Sequence, residues 1–323
     1  MNHEIKQILV VGAGVMGSSI AQVFAANGFP TVMADVDQTL LDKASARIEA
    51  NMEGLTKAQL IDESYIEAVH QNLSTMLSSE IQDHGKQFDL VAESVYESPK
   101  VKADVYQMLS SACRNDCIFA SNTSAMDVFT VTKDVVSHPE RMAIVHWFNP
   151  PHLMKLVEIV KGPETSEETM YTAKALMVAC GKKPVVLNTY VPGFIVNRMG
   201  VVINRELLYM IDQGWVSPQD LDTALKYTDG LRWSFEGPLE LVDYVGLQIP
   251  RAVAGEVMPS LCNDEKGISY LEKLISEGKT GVKAGEGIMG KYPADMEEMI
   301  AKRNRRIIQM IHVMNSFEQE DKQ

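Results

Sequence analysis

A chain of 323 residues, 46% of them apolar, is long enough for two domains, each with its own core. Its 43 acidic against 30 basic side chains leave a formal net charge of −13, which argues against nucleic acid or an anionic membrane as partner and offers no general attraction to an anionic substrate. There is no apolar run of membrane-spanning length and no basic-then-apolar leader, so the chain reads as cytoplasmic. Its four cysteines, Cys113, Cys117, Cys180 and Cys262, have neither C-x-x-C nor metal-ligand spacing and read as reduced structural thiols.

Residues 7–11, QILVV, have the pattern of a buried strand and run directly into Gly12-Ala13-Gly14-Val15-Met16-Gly17, with a helical stretch following over 18–27. In that context the first two glycines permit a tight turn and close approach of backbone to a pyrophosphate, and Gly17 lets the helix pack on the strand. The phosphates would sit at the helix N-terminus, where unpaired amides and the helix dipole favour negative charge. A second strand over 30–34 ends in Asp35. A carboxylate there accepts hydrogen bonds from both adenosine ribose hydroxyls and repels a 2′-phosphate, and no Arg precedes Arg47, so the expected cofactor is NAD rather than NADP.

Residues 38–71 read as two helices, the first with Leu41, Ala44, Ile48, Met52 and Leu55 on one face. A further strand over 88–95, FDLVAESV, leads through Tyr96-Glu97-Ser98-Pro99 into a helix carrying Lys100 and Lys102, with Pro99 suited to its first turn. Residues 117–120 form another strand, ending in Ser121-Asn122-Thr123-Ser124. Ligands of an open parallel sheet bind beyond the carboxyl ends of its strands, which puts Ser124 near the nicotinamide end.

Residues 142–160, MAIVHWFNPPHLMKLVEIV, read as strand, turn, strand, with Pro150 and Pro151 in the turn. His146 closes the first run and Glu158 lies inside the second, so strands lying side by side would bring the two together. A neutral imidazole accepts the proton of a secondary alcohol at neutral pH, and does so best when a carboxylate fixes its tautomer and stabilises the imidazolium. Thr165-Ser166-Glu167-Glu168 has capping-box spacing and opens a helix that stops at Gly181. The last strand falls at 184–188. Tyr190-Val191-Pro192-Gly193 then marks a junction between a nucleotide-binding domain over 1–189 and a second domain over 190–323. From Phe194 onward the pattern is helical, over 194–213, 217–227, 238–259, 267–277 and 294–316.

Taken together these motifs resemble the NAD-dependent L-3-hydroxyacyl-CoA dehydrogenase family, which includes the 3-hydroxybutyryl-CoA dehydrogenases and some relatives acting on free hydroxy acids. The resemblance runs over nearly the whole chain. Its most specific parts are Gly12 to Gly17, Ser121 to Ser124, His146-Trp147-Phe148-Asn149-Pro150, Lys155-Leu156-Val157-Glu158, Pro192-Gly193-Phe194-Ile195-Val196-Asn197-Arg198 and Gly237-Pro238-Leu239-Glu240-Leu241-Val242-Asp243-Tyr244-Val245-Gly246-Leu247. It implies an α/β fold, a Rossmann-type doubly wound sheet followed by an all-helical C-terminal domain that binds substrate and joins a homodimer. It implies that His146 is the acid/base, that Glu158 orients it, and that Ser124 and Asn197 help hold the substrate's oxygen and the reacting groups. For NAD it implies a site built from Gly12, Gly14, Val15, Met16, Gly17 and Asn122, with Asp35, Glu97, Lys102 and Asn149 at positions that contact or surround the cofactor. The implied reaction is reversible oxidation of the 3-hydroxyl of an L-3-hydroxyacyl-CoA, within fatty acid metabolism.

Two departures bear on the substrate. Where the acyl-CoA enzymes commonly carry basic residues in the helices after the second strand, this chain has Lys43, Arg47 and Lys57 among Glu49, Glu53, Asp62 and Glu63, little purchase for a polyanionic CoA. The segment Gly230-Leu231-Arg232-Trp233-Ser234-Phe235-Glu236 is more like relatives that oxidise small hydroxy acids, and the Arg232 guanidinium can clamp a carboxylate with two parallel hydrogen bonds. Residues 281–287 match a loop typical of the family, but the aromatic pair that usually follows is replaced by Ile288-Met289. The first reading is an L-3-hydroxyacyl-CoA dehydrogenase; the alternative is the same chemistry on a small free hydroxy carboxylic acid, and a remote third is an NAD-binding protein without turnover.

Overall fold

A computed structural model of the chain describes residues 4–265 and 269–320. The chain divides into two compact units, Met1–Arg198 and Met199–Gln323. The strands of the first are β1 Ile8–Val11, β2 Thr31–Asp35, β3 Leu73–Leu77, β4 Leu90–Glu93, β5 Ile118–Ser121, β6 Met142–Trp147, β7 Leu156–Lys161 and β8 Lys183–Leu187. They form one sheet in the order β3-β2-β1-β4-β5-β6-β7-β8. Its helices are α1 Val15–Ala26, α2 Gln38–Lys57, α3 Glu63–Asn72, α4 Ile81–His84, α5 Pro99–Ala112, α6 Val128–Thr132 and α7 Glu167–Ala179.

Side chains of a strand alternate between faces, and β1 uses both. Ile8 and Val10 enter a core with Ile20, Phe24 and Met33, while Leu9 and Val11 enter another with Phe88, Tyr106 and Leu109. A parallel strand covered on both faces reads as an unbroken apolar run, which is why QILVV is legible as one. β1 pairs in parallel with β2 on one side and with β4 on the other. The chain runs outward from β1 to β3 and then returns to β4, so the connections leaving β1 and β4 diverge and open a crevice at the carboxyl ends of these strands.

Only between β6 and β7 is the parallel order of the sheet broken. Residues 148–155 are too few for the crossover a parallel pair needs, and the pair is antiparallel, in a register that sets His146 directly opposite Glu158. Opposed side chains on such a pair leave the backbone about 5 Å apart and meet on the same face.

The structure departs from the sequence expectations in several places. Strand β3 was not expected, because Ser74 and Thr75 are exposed on an edge strand that lacks the apolar run of its neighbours. The helix expected over 18–27 starts earlier, at Val15, so Gly17 lies within its first turn. Helix α8 Val196–Asp212 begins in the first unit and continues into the second, whose further helices are α9 Pro218–Lys226, α10 Asp229–Arg232, α11 Pro238–Val245, α12 Gln248–Val257, α13 Ser269–Ser276 and α14 Met296–Glu320, and there the single helix expected over 238–259 is two. Gly246, at φ +80°, turns the chain between α11 and α12. A short antiparallel ladder pairs Glu286–Gly287 with Gly290–Lys291, beyond the last strand expected. The helix expected over 267–277 begins partly outside the described residues. No described helix is long and apolar enough to cross a membrane.

Two glycines of the first turn have opposite surroundings. A Cβ on Gly17 would lie 1.7 Å from the carbonyl oxygen of Gly12, whereas one on Gly14 would have nothing within 4 Å. Gly17→Ala is therefore expected to lower stability by about 3 kcal/mol or more, since backbone rather than a flexible side chain must move. Gly14→Ala should leave the unfolding midpoint close to that of the parent. Thermal or urea unfolding of the two variants checks this, and equal midpoints would contradict it.

Candidate active site

The crevice at the switch point is a cleft of about 910 Å³ within the first unit. Gly12, Gly14, Val15 and Met16 line one end, and Asp35 with Val36 stands at the tip of β2. Gly12 sits at φ +101°, where a Cβ would meet the Ser94 carbonyl oxygen at 2.5 Å, so only glycine fits this turn. The first turn of α1 carries no acidic side chain, and its amides present the positive end of the helix dipole to the cleft. Asp35 accepts hydrogen bonds from the Ala13 N–H at 2.6 Å and the Val36 N–H at 2.7 Å, one on each oxygen. Its remaining lone pairs suit ribose hydroxyls and oppose a 2′-phosphate. A glycine turn without room for Cβ, an open helix N-terminus and a carboxylate at the tip of β2 together fit NAD. Arg47 reaches from α2 to the Gly14 carbonyl oxygen at 3.2 Å and Ser18 Oγ at 3.0 Å, and so braces the turn.

At the other end the tips of β4, β5 and β6 converge. Asn122 ties all three: its Nδ2 donates to Ser94 Oγ at 3.2 Å, and its Oδ1 accepts from the Trp147 N–H at 2.9 Å. His146, Asn122, Ser124, Glu97, Asn149 and Asn197 all line this part of the cleft. Asn197 Nδ2 donates to the Ser124 carbonyl oxygen at 2.9 Å. His146 Nδ1 lies 2.8 Å from Glu158 Oε2. Glu158 has no exposed surface, and its other oxygen accepts from the backbone N–H groups of Ile195 and Val196, both at 2.9 Å. Burial alone would oppose its ionisation, but the hydrogen bonds from His146, Val196 and Ile195 outweigh it and hold the carboxyl below the usual carboxylate range. An ionised Glu158 can only accept, so the neutral imidazole carries its proton on Nδ1 and Nε2 is left as the accepting atom.

The approach of those two amides depends on a strained corner. Gly193 and Phe194 both take positive φ, +75° and +50°, the second unusual for a side chain of that size. The buried Phe194 ring then lies 5.4 Å from the imidazole, and Phe148 lies 4.6 Å from it on the turn after β6. Neither ring was singled out by residue type alone, because an aromatic next to a histidine carries no distinctive spacing.

Two of the cofactor residues expected from the sequence do not touch the cleft. Gly17 is buried against Gly12 and acts through helix packing. Lys102 is fully buried, with Nζ 2.7 and 2.9 Å from the two Glu93 oxygens and 3.2 Å from Glu97. There it neutralises Glu93 at the tip of β4 and anchors Glu97, which also accepts from Thr123 Oγ1. Glu93, fully buried, further accepts from Ser121 Oγ at 2.6 Å and the Val95 N–H at 2.9 Å. This network fixes the loop that presents Ser124, and Glu93 was not recognised in the sequence because it reads as one polar letter in a strand. Arg232 belongs to the second unit, exposed at the end of α10.

Comparison with known proteins identifies the family. Residues 7–190 match the family model described as 3-hydroxyacyl-CoA dehydrogenase, NAD binding domain, and residues 193–291 match its C-terminal domain. Among similar proteins, 5-formyl-3-hydroxy-2-methylpyridine 4-carboxylate 5-dehydrogenase of Mesorhizobium japonicum is 32% identical over 316 residues, covering 97% of this chain and 100% of that protein. The human mitochondrial hydroxyacyl-coenzyme A dehydrogenase is 35% identical over 288 residues, covering 88% of this chain and 90% of its own. Among solved structures, that of the pyridine-carboxylic acid 5-dehydrogenase, described as an NAD+-dependent dismutase, aligns with a TM-score of 0.86 at 29% identity, covering 97% of this chain and 99% of that one. The (S)-3-hydroxybutyryl-CoA dehydrogenase PaaH1 from Ralstonia eutropha aligns at 0.74, also at 29% identity, covering 90% of this chain and 100% of that one. The chain therefore belongs to the 3-hydroxyacyl-CoA dehydrogenase family and is an NAD-dependent oxidoreductase.

Proposed function

We propose that the chain catalyses the reversible oxidation of a hydroxyl to a carbonyl, with His146 as acid/base and Glu158 as the carboxylate that positions it. The observation that carries this reading is the 2.8 Å bond from Nδ1 to Oε2, made across a strand pair at the wall of a dinucleotide cleft. NAD bound in the cleft would accept the hydride released from the substrate carbon. Nε2 of the neutral imidazole takes the hydroxyl proton, and the ionised Glu158 stabilises the imidazolium that results. In the reducing direction the imidazolium returns that proton to the carbonyl oxygen. Ser124 and Asn197, linked at the same end of the cleft, offer a hydroxyl and an amide to the substrate oxygen.

For substrate we assign a small free carboxylate bearing the reacting hydroxyl or carbonyl. The relative named for a free pyridine carboxylate aligns over 97% of this chain, which takes in α14, beyond residue 291 where the family match ends. The hydroxyacyl-coenzyme A dehydrogenase of human aligns over 88%. Of the three cations of α2, Arg47 donates into the glycine turn and Lys57 pairs with Glu53, which leaves Lys43 for the phosphates of CoA. Arg232, read from the sequence as a carboxylate clamp, is the guanidinium that the experiment below tests. An acyl-CoA stands as the second reading, supported by the family match over both units and by relatives named for that activity.

We also read the second unit as a surface for a second copy of the chain. Its buried apolar side chains, among the described residues, are Leu208, Leu221, Cys262 and Leu274, whereas Trp215, Tyr227, Leu239 and Tyr244 are 60–81% exposed. So much large apolar surface is the mark of an interface. Light scattering is expected to give twice the chain mass, and a single-chain mass at micromolar concentration would contradict this.

The substrate experiment follows NADH absorbance with acetoacetyl-CoA, free short 3-oxo acids and the formyl-hydroxypyridine carboxylate. Wild type should show the higher kcat/KM with the free acids, and Arg232→Met should remove that advantage. Preference for acetoacetyl-CoA, unmoved by Arg232→Met, would install the second reading. On whichever substrate is turned over, His146→Gln should lower kcat by about 10²- to 10⁴-fold with NADH affinity retained. Near-normal turnover by His146→Gln would remove the acid/base assignment.

A further inference from the structure

The turn over residues 148–155 carries Phe148 and Asn149 into the cleft, yet its backbone is held from behind by a side chain that lies outside the site. Lys182 follows Gly181, whose φ of +67° ends α7, and it is 9% exposed. Its Nζ donates to the carbonyl oxygens of Pro151 at 2.6 Å and Met154 at 3.0 Å, and lies 5.3 Å from the centre of the Trp147 ring. A desolvated ammonium is unfavourable unless its three protons find partners, and two carbonyls with an indole face supply them. Trp147 is the residue after His146 and packs edge to face on Phe24 of α1 at 5.6 Å. The same turn is touched from α1 by Ser19, whose Oγ lies 3.3 Å from His152 Nδ1.

We infer that Lys182 is a positioning residue for the reaction: its ammonium closes the back of the 148–155 turn, so that Phe148 and Asn149 stand against His146 and the cofactor. The inference rests on the acid/base reading of His146 and extends it, because Lys182 itself reaches neither the cleft nor the imidazole. A methionine would fill the same volume without a charge to desolvate, so volume alone does not explain a lysine here. Burial works against the charge and pushes the Lys182 pKa down to about 8. The titratable groups that face it are Cys180, Lys155 and His152. Burial raises the Cys180 thiol to about 12, and burial together with Lys182 lowers His152 to about 4, so neither of these changes charge near pH 8.

Lys182→Met keeps the volume and removes the cation; Lys182→Arg keeps a cation that does not titrate. Both are measured in the full-length enzyme by NADH titration and by kcat and kcat/KM across pH. Lys182→Met should weaken NADH and lower kcat/KM by on the order of 10²-fold, the scale of a displacement of about 1 Å in a reacting group. The acid limb of oxidation, which reports His146, should stay in place. Wild type should lose activity as pH rises through about 8, and Lys182→Arg should carry its plateau to higher pH. Wild-type NADH affinity and kcat/KM in Lys182→Met, or an unmoved alkaline limb in Lys182→Arg, would overturn the inference. Should Lys182→Met fail to fold, the pH profile of Lys182→Arg decides. If no substrate is turned over at all, the acid/base reading has failed separately, and the NADH affinity of the two variants still tests the clamp.

Discussion

A carboxylate with no access to water must have its charge accounted for, and Glu158 is the point on which the rest of the site depends. Three hydrogen-bond donors surround it: His146 Nδ1, and the N–H groups of Ile195 and Val196. They come from two distant parts of the chain, so holding the charge requires β6, β7 and the corner after β8 to be in place together. The antiparallel register of β6 on β7 supplies the first. The two left-handed residues Gly193 and Phe194 supply the others, and the strain at Phe194 is tolerated because its ring is fully packed. Without the amides, burial would favour a neutral carboxylic acid, which could no longer stabilise an imidazolium.

The parallel part of the sheet contributes in another way. It brings the tips of β1, β2, β4, β5 and β6 to one edge, so that the glycine turn, Asp35, Glu97, Asn122 and His146 face a single cleft although 134 positions separate Gly12 from His146. Buried polar groups behind that edge are satisfied in a closed set. Lys102 meets Glu93 and Glu97, Ser121 meets Glu93, and Asn122 spans Ser94 and Trp147. Such networks fix a loop in one arrangement, since any alternative leaves a buried charge unpaired. The acidic balance of the whole chain has little influence here; local donors set the electrostatics.

Much of this was legible in the sequence where a pattern has only one physical meaning. Gly12 to Gly17 behind an apolar run specifies a turn and a helix start, and the twelve residues from His146 to Glu158 with two prolines between them specify a strand return. Other features lack such a signature. Strand β3 is half polar because it is an edge, and Gly246 splits a helix whose apolar spacing continues across the break. Lys102 reads like any lysine on a helix, and its burial follows only from the position of β4 and Glu93 beside it. The same holds for Lys182, Phe148 and Phe194. Contacts between elements distant in sequence decide their roles, and a single sequence does not display those contacts.

The pairing with Glu158 defines one proton position in the site: on Nδ1 of a neutral His146, with Nε2 left as the acceptor. Nitrogen-15 NMR of the imidazole, recorded in the free enzyme above the pH at which His146 has lost its charge, reads this directly. A protonated Nδ1 and an unprotonated Nε2 are expected, with loss of that tautomer preference in Glu158→Gln, whose side-chain amide can also donate. A neutral His146 with its proton on Nε2 in the wild type would contradict it, because that atom could not then accept a proton from an alcohol.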